Sequence, residues 1–535
     1  MKFPNCRQAR TAGPLVILTF LALLIFPAVS RAQHLTSAEM LHPSADSWPV
    51  YHGDYSGERH SHLTQITPNN VGNLSLAWAF QTNQTAQIKS SPLLVDGILY
   101  FTVPDNVWAV DARSGHMIWR YNRPSSQGDH IGHRGVAMYG GWLYFTTPDA
   151  HLISLNAKDG SVRWDKLIAD VNRGYWTTMA PLVVKNHVIV GVSGDFDNLP
   201  GYLRAFDPET GATQWQWNAT PPAGTPKSTT GGMTWMTGTY DSNLDLVYWG
   251  TGNPTPVLNG KPRPGDDPWT CSIVAINPDT GKLVWGFQTS PHDTHDWDAV
   301  ETPVLVDGSF RGQQRKMLMQ ASRNGYFFVL DRTNGKSLFT VPYGPVNWSL
   351  GVDAQGRPIP NPEKEPAPDG RLIAPDEGGL TNYRAPSVDP RAGLFIVDAR
   401  PSYGIYFAKQ ADGDYGWAGA DYGLWGKGVI EAIDYQTGKI RWSHPAGPGG
   451  SGAGVLTTDS GLTITGDSEG NVLVLDTATG KTLWHAGTGA PMQSSPICYE
   501  LDGREFIMTS SGGVLFAWAL PQNLLLPSSA RTEEK

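Results

Sequence analysis

Cysteine is nearly absent from this chain: Cys6, Cys271 and Cys498 are the only three in 535 residues. A disulfide framework is therefore excluded as an organising principle, and without a Cys-x-x-Cys-His pattern so is a covalently attached c-type haem. Charge is also scarce, at 17% of residues, and the net charge of -9 comes with no basic run able to track phosphates. Nucleic acid is excluded as a partner on that ground. Long apolar runs are missing after the N-terminal "PLVILTFLALLIFPAV", which is itself shorter than the ~20 residues a bilayer span needs. Lys2, Arg7 and Arg10 precede that run and the small residues Ser30 and Ala32 follow it. Residues 1–32 thus read as a secretory signal peptide cleaved after Ala32, and 33–535 as one exported, soluble domain without a stable membrane span, most simply periplasmic.

What the chain has in quantity is turn residues, 60 Gly and 41 Pro, and a repeat. "AVDARSGHMIW" at 109 recurs as "SLNAKDGSVRW" at 154, "AFDPETGATQW" at 205, "AINPDTGKLVW" at 275, "VLDRTNGKSLF" at 329, "AIDYQTGKIRW" at 432 and "VLDTATGKTLW" at 474. Each copy reads as a hairpin: a strand ending at Asp or Asn, a glycine supplying the positive-φ turn residue, and a second strand ending in an aromatic ring. Further strand pairs such as "SPLLVDGILYFT" lie upstream, so one repeat amounts to four antiparallel strands, a propeller blade whose Trp packs against its neighbour. Trp78 in "LSLAWAF" lacks its preceding hairpin, and the C-terminal "SPICYELDGREFIMTSSGGVLFAWAL" lacks a Trp-closed partner. The two ends are expected to complete one shared blade. The fold class is all-β, an eight-bladed β-propeller with tryptophan-docking repeats, its core running from about 45 to 521. The Pro-rich "GRPIPNPEKEPAPDGRLIAPDEGG" reads as a surface insertion, not another blade.

Three further motifs carry chemistry: "WGTGNPTP" (249–256), "SPHDTHDWDA" (290–299) and "RNGYFFVLDRTNG" (323–335). With the Trp repeats they make nearly the whole mature chain resemble the quinoprotein alcohol dehydrogenases, the methanol dehydrogenase-like family that uses pyrroloquinoline quinone (PQQ). The resemblance implies that Asp296 is the catalytic base beside the quinone and its metal, with Arg323 near the reactive carbonyl. It implies Asn253 as an amide metal ligand and Asp298 as the additional carboxylate of the lanthanide-using branch. In an extended segment residues i and i+2 face one side, so Asp296 and Asp298 can reach one cation. A trivalent ion needs that extra carboxylate more than Ca²⁺ does. For His292, Asp293, His295 and Glu301 a structural role, capping turns or supporting ligands, is the stronger reading.

PQQ is a planar tricarboxylate, so its site needs a flat floor and several donors. The resemblance assigns Trp235 as the floor, and Arg134, Thr178, Ser193, Gly194, Arg323 and Asn382 as contacts to carboxylates and carbonyls. The chain also departs from the family. Its Glu metal ligand aligns on Phe196, leaving Asp195 or Asp197 as substitutes; its adjacent cysteine pair is replaced by Gly128 and Asp129, an early Glu by Lys89, and a cofactor-facing Trp by Ser451. These changes open the face above the cofactor. The resemblance implies oxidation of an alcohol to an aldehyde or ketone, with PQQ, one lanthanide or Ca²⁺ ion, and an external acceptor such as a soluble cytochrome c. A sugar or polyol dehydrogenase and a non-catalytic envelope scaffold are the alternative readings.

Overall fold

The structure is a computed structural model and describes residues 35–194, 199–221, 230–409, 416–449 and 452–525. The chain divides into two units, Met1–Ala32 and Gln33–Lys535, and the described residues all belong to the second. The expected signal peptide, Asp195, Phe196, Asp197 and Ser451 lie outside the described residues. Among those described, no helix is long and apolar enough to cross a membrane.

The fold is an all-β propeller. Among the described residues, eight sheets contain four consecutive or near-consecutive antiparallel strands, and one of the eight gains a fifth strand, His60–Ser61, in parallel. The first runs Leu93–Val95, Ile98–Val103, Asn106–Asp111, Met117–Asn122. Its inner strands bury every residue from Leu99 to Val110 except Asp105, whereas the last strand alternates buried with exposed, as a strand with one face towards solvent must. Six more such sheets follow along the chain. The eighth joins Ile497–Leu501, Arg504–Ser511 and Val514–Ala519 to the N-terminal strand Ser75–Gln81, which pairs antiparallel with Val514–Ala519. The shared sheet expected from Trp78 is therefore present.

The repeated hairpin acts as expected at its glycine. Gly115, Gly160, Gly211, Gly281, Gly335, Gly438 and Gly480 all have φ between +66° and +74°. The strand-ending acid also closes the turn: Asp111 Oδ1 accepts the N–H groups of Arg113 and Ser114 at 3.0 and 2.9 Å. A ring from the preceding repeat touches each glycine, joined by Lys166 at Gly211 and Val341 at Gly438, so that a Cβ on Gly115 would sit 2.6 Å from Trp78 and one on Gly480 2.5 Å from Trp442. The indole N–H then donates to a carbonyl in the next repeat, Trp78 to Ala112, Trp119 to Ala157, Trp285 to Arg332 and Trp442 to Thr477, at 2.9 to 3.1 Å.

The Pro-rich stretch adds nothing to the eight sheets. Its Pro358–Pro360 pairs with the preceding Ser349–Val352, and its Arg371–Ile373 joins a separate sheet with Ser402–Ala408 and Gly419–Gly426. That last hairpin, unexpected from the sequence, leaves Tyr422, Leu424 and Trp425 exposed.

Candidate active site

In an antiparallel four-stranded sheet the loop before the first strand and the loop joining the second to the third lie at one end. The sequence-predicted residues come from such loops. Arg134, Thr178, Trp235, Asp296, Asp298 and Asn382 precede the first strands of their sheets; Asn253 and Arg323 follow second strands. The topology thus delivers them to one end of the molecule.

Arg323 is the centre. Its Nη2 lies 3.0 Å from Asp296 Oδ2 and 3.1 Å from Glu377 Oε1, and its Nη1 lies 3.4 Å from Asp298 Oδ2. Asp298 is held from two further directions: Trp235 Nε1 donates to Oδ2 at 2.7 Å and the Asn253 backbone N–H to Oδ1 at 2.6 Å. Arg134 then stacks over the Trp235 ring, its Cζ 4.8 Å from the centroid, and equally far from that of Tyr383. Arg134 Nη1 also donates to Thr178 Oγ1. Asn382 precedes Tyr383 and donates to the Gly378 carbonyl at 3.2 Å. Ser193 bridges to Trp176, two residues before Thr178, and the left-handed Gly194 packs so close to the Gly174 carbonyl that a Cβ would come within 2.9 Å. Eight of the ten described candidates are thus linked directly or through one residue, while Ser193 and Gly194 lie beside Trp176 and Gly174.

The Asp-rich loop owes its shape to Asp293, whose Oδ2 accepts the N–H groups of His295, Asp296 and Trp297 at 3.3, 3.0 and 3.2 Å. That clasp holds Asp296 at φ +68°, a conformation Asp tolerates better than most side chains. His295 stacks on Trp297, centroids 4.3 Å apart, and burial pushes its imidazole down to about 3, so it stays neutral. Asp293 and His295 are therefore framework. Glu301 is buried with neither carboxylate oxygen hydrogen-bonded to a side chain, and burial pushes it up to about 8.

Burial pushes Asp296 well above the ordinary carboxylate range, with Arg323 opposing and Asp298 and Glu377 adding to the rise. Asp298 is likewise raised by burial against the pull of Arg323. Burial works against the Arg323 charge too, but Asp296, Asp298 and Glu377 overcome it and hold the guanidinium firmly protonated. Three carboxyl groups around a single guanidinium in a largely buried site are costly to ionise together, and a cation would relieve that cost. The oxygen-rich set of Asp296, Asp298 and Asn253 suits a hard ion. The opposite chemistry appears one layer away: Nε of Arg134 and Nε of Arg323 are buried donors with no acceptor, beside the half-buried indole of Trp235. A flat ligand rich in acceptor oxygens fits that face.

Residues 48–355 match the family described as "Glucose/ethanol/alcohol dehydrogenase, beta-propeller domain", and 426–520 match "Outer membrane protein assembly factor BamB". The quinoprotein alcohol dehydrogenase PedH of Pseudomonas putida is 34% identical over 515 residues, covering 85% of this chain and 84% of that protein. The chain belongs to the PQQ-dependent alcohol dehydrogenase family. The lanthanide-dependent methanol dehydrogenase of Methylorubrum extorquens is 31% identical, covering 86% of each chain. A solved europium-containing methanol dehydrogenase superposes with TM-score 0.82 at 28% identity, covering 90% of this chain and 99% of its own.

Glu377 and Tyr383 belong to the site of this family member but escaped the sequence reading. Glu377 stands in "DEGG" at the end of the Pro-rich insertion, where a charged residue looks like any solvated loop residue. Tyr383 directly follows the predicted Asn382, which was the available signal. Lys89, at the position of an expected Glu, lies 5.9 Å from the Tyr383 ring centroid and donates to the Ile131 carbonyl at 2.7 Å.

Proposed function

We propose that this protein is an exported dehydrogenase that oxidises an alcohol to an aldehyde or ketone, using PQQ and one lanthanide or Ca²⁺ ion. The observation carrying the reading is Arg323 joining Asp296 and Asp298 beside Trp235. Trp235, Arg134, Thr178, Ser193, Gly194, Arg323 and Asn382 would hold the quinone; Asn253, Asp296 and Asp298, with Asp195 or Asp197, would hold the ion. Bound there, PQQ supplies a two-electron acceptor for hydride and the ion a Lewis acid.

Asp296 acts as general base, taking the alcohol hydroxyl proton so that the carbon-bound hydrogen can leave with its electron pair. Arg323 opposes the effect of burial on Asp296 and so favours its carboxylate form, and a bound cation would add to that pull. Its buried Nε, lacking an acceptor, is available to an oxyanion that develops during transfer. Asp298 fixes the tilt of the Trp235 ring through the 2.7 Å hydrogen bond, coupling the floor of the site to the carboxylate pair. Electrons pass on to an external acceptor, a soluble cytochrome c, since the chain has no haem-attachment motif. The eight sheets, in this reading, are eight blades of a ring that the 75–81 strand closes.

The test is reconstitution of purified protein with PQQ and either Ca²⁺ or La³⁺, followed by dye-linked oxidation across an alcohol and polyol panel. Asp296→Asn should lower turnover by about 10²–10⁴-fold. Quinone binding, read by quenching of tryptophan fluorescence, should persist. Near-normal turnover of that variant would remove Asp296 as base.

A further inference from the structure

Opposite the candidate active site, the molecule holds a second cluster of ligating side chains. Asp459 follows the first strand, Leu456–Thr458, of its sheet, so it stands at the end away from the loops that carry Asp296 and Trp235. The short strand His60–Ser61 pairs in parallel with that strand, His60 opposite Thr457. His60 and His62, two apart on an extended segment, face the same side. Both meet one carboxylate: His60 Nε2 lies 2.9 Å from Asp459 Oδ1 and His62 Nδ1 3.0 Å from Oδ2.

The proton inventory behind His60 is informative. Ser387 Oγ lies 2.8 Å from the Arg59 carbonyl and 2.7 Å from Thr457 Oγ1, and Thr457 Oγ1 lies 3.3 Å from the Val388 carbonyl. When Thr457 Oγ1 gives its one proton to Ser387 Oγ or to the Val388 carbonyl, it accepts from His60 Nδ1–H at 2.7 Å. In that tautomer the Nε2 lone pair faces Asp459 Oδ1, and either a proton on Nε2 or a cation bound by both groups relieves the contact. A hydrogen-bonded far nitrogen is also the usual support for a metal-binding imidazole.

We propose that His60, His62 and Asp459 form a site for a borderline divalent ion of the Zn²⁺ type, stapling the 60–62 segment to the propeller. Two ligands of a tetrahedral Zn²⁺ are roughly 3.4 Å apart. The ligand atoms here all lie within 4.8 Å of one another, so a small expansion admits the ion. A cavity of about 400 Å³ bordered by His42, His60 and His62 leaves room for a water or a fourth ligand. Arg391 competes: its Nε lies 3.1 Å from Asp459 Oδ1 and its Nη2 donates to the Thr458 carbonyl at 3.4 Å and to the Asp459 carbonyl, although the side chain is half-exposed.

The experiment uses the full chain loaded with PQQ and La³⁺, so that the carboxylates around Arg323 are already occupied, and titrates it with Zn²⁺ by calorimetry. One Zn²⁺ per chain should bind, and Co²⁺ in its place should give the visible absorption of a tetrahedral ion. His62→Ala, at an exposed position that leaves folding intact, and Asp459→Asn should each weaken binding by about tenfold or more. Arg391→Gln, which removes the competing cation, should strengthen it. No Zn²⁺ uptake, or uptake indifferent to His62→Ala and Asp459→Asn, overturns the proposal. So does ¹⁵N NMR showing both His60 ring nitrogens protonated at neutral pH whether or not Zn²⁺ is added; the cluster is then an ion pair.

Discussion

At the scale of single residues, Asp298 serves two purposes that a pair of substitutions separates. Its charge favours a trivalent ion, while its oxygens accept the Trp235 indole N–H and the Asn253 backbone N–H. Asp298→Asn keeps an acceptor for the indole and removes the charge, so activation by La³⁺ should fall relative to Ca²⁺ while PQQ binding is retained. Asp298→Ala should lose both the metal preference and part of the PQQ affinity, because Trp235 is released. If Ca²⁺ activates the unaltered protein better than La³⁺ and Asp298→Asn changes neither response, Asp298 is not a ligand of a trivalent ion. Much of this site was legible in the sequence because Asp296, Asp298 and Asn253 sit in motifs whose spacing resembles a known family. Asp293 was legible only as a loop acid: that it clasps three successive N–H groups depends on the backbone doubling back at His295–Trp297, which no spacing rule conveys.

At the scale of elements, the hairpin glycine does more than turn the chain, and two alanine variants distinguish its tasks. Gly503 and Gly480 have nearly the same φ, +74° and +70°, but a Cβ meets nothing within 4 Å at Gly503 and lies 2.5 Å from Trp442 at Gly480. Gly503→Ala should lose only the backbone preference, about 1 kcal/mol. Gly480→Ala should cost clearly more, on the order of 3 kcal/mol, since it also displaces the indole. Equal drops in melting temperature would mean that the ring-on-glycine contact contributes nothing to stability. A second test concerns Glu431, in the strand Val429–Asp434, whose Oε2 is buried without a partner and which burial pushes up to about 7. A carboxyl raised on folding binds its proton more tightly in the native state, so its penalty is absent below the unfolded value of 4.5 and grows as pH rises to about 7. The penalty above that pH is on the order of 3 kcal/mol. Glu431→Gln should therefore shrink the fall in melting temperature between pH 5 and pH 8, and an unchanged fall would show that Glu431 stays ionised. The repeats were readable because Asp, Gly and Trp each answer a local demand. The strand Gly419–Gly426 was not, because its exposed Tyr422, Leu424 and Trp425 have a strand's composition without a buried face of their own to set the register.

At the scale of the whole molecule, the seam between Ser75–Gln81 and Val514–Ala519 joins residues more than four hundred positions apart in sequence. Such a contact carries a large closure entropy and forms only once the sheets between are in place. The sequence already pointed to this pairing through Trp78, whose indole donates to Ala112 in the first four-stranded sheet while its strand belongs to the last. Two outcomes are physically distinct. If the sheets form a ring locked by that strand, releasing it exposes Trp78 and opens the edges of two sheets at once, so it should cost nearly as much as global unfolding. If the strand merely lies on a stable stack, it should fray alone. Native-state hydrogen exchange separates the two. The amides of Trp78 and Phe80 should exchange no faster than those of the central strand Asn106–Asp111, and Trp78→Ala should lower the protection of both strands together. Fast exchange confined to 75–81, with the central strands still protected, would mean that the seam is an appendage and that the propeller holds its shape without it.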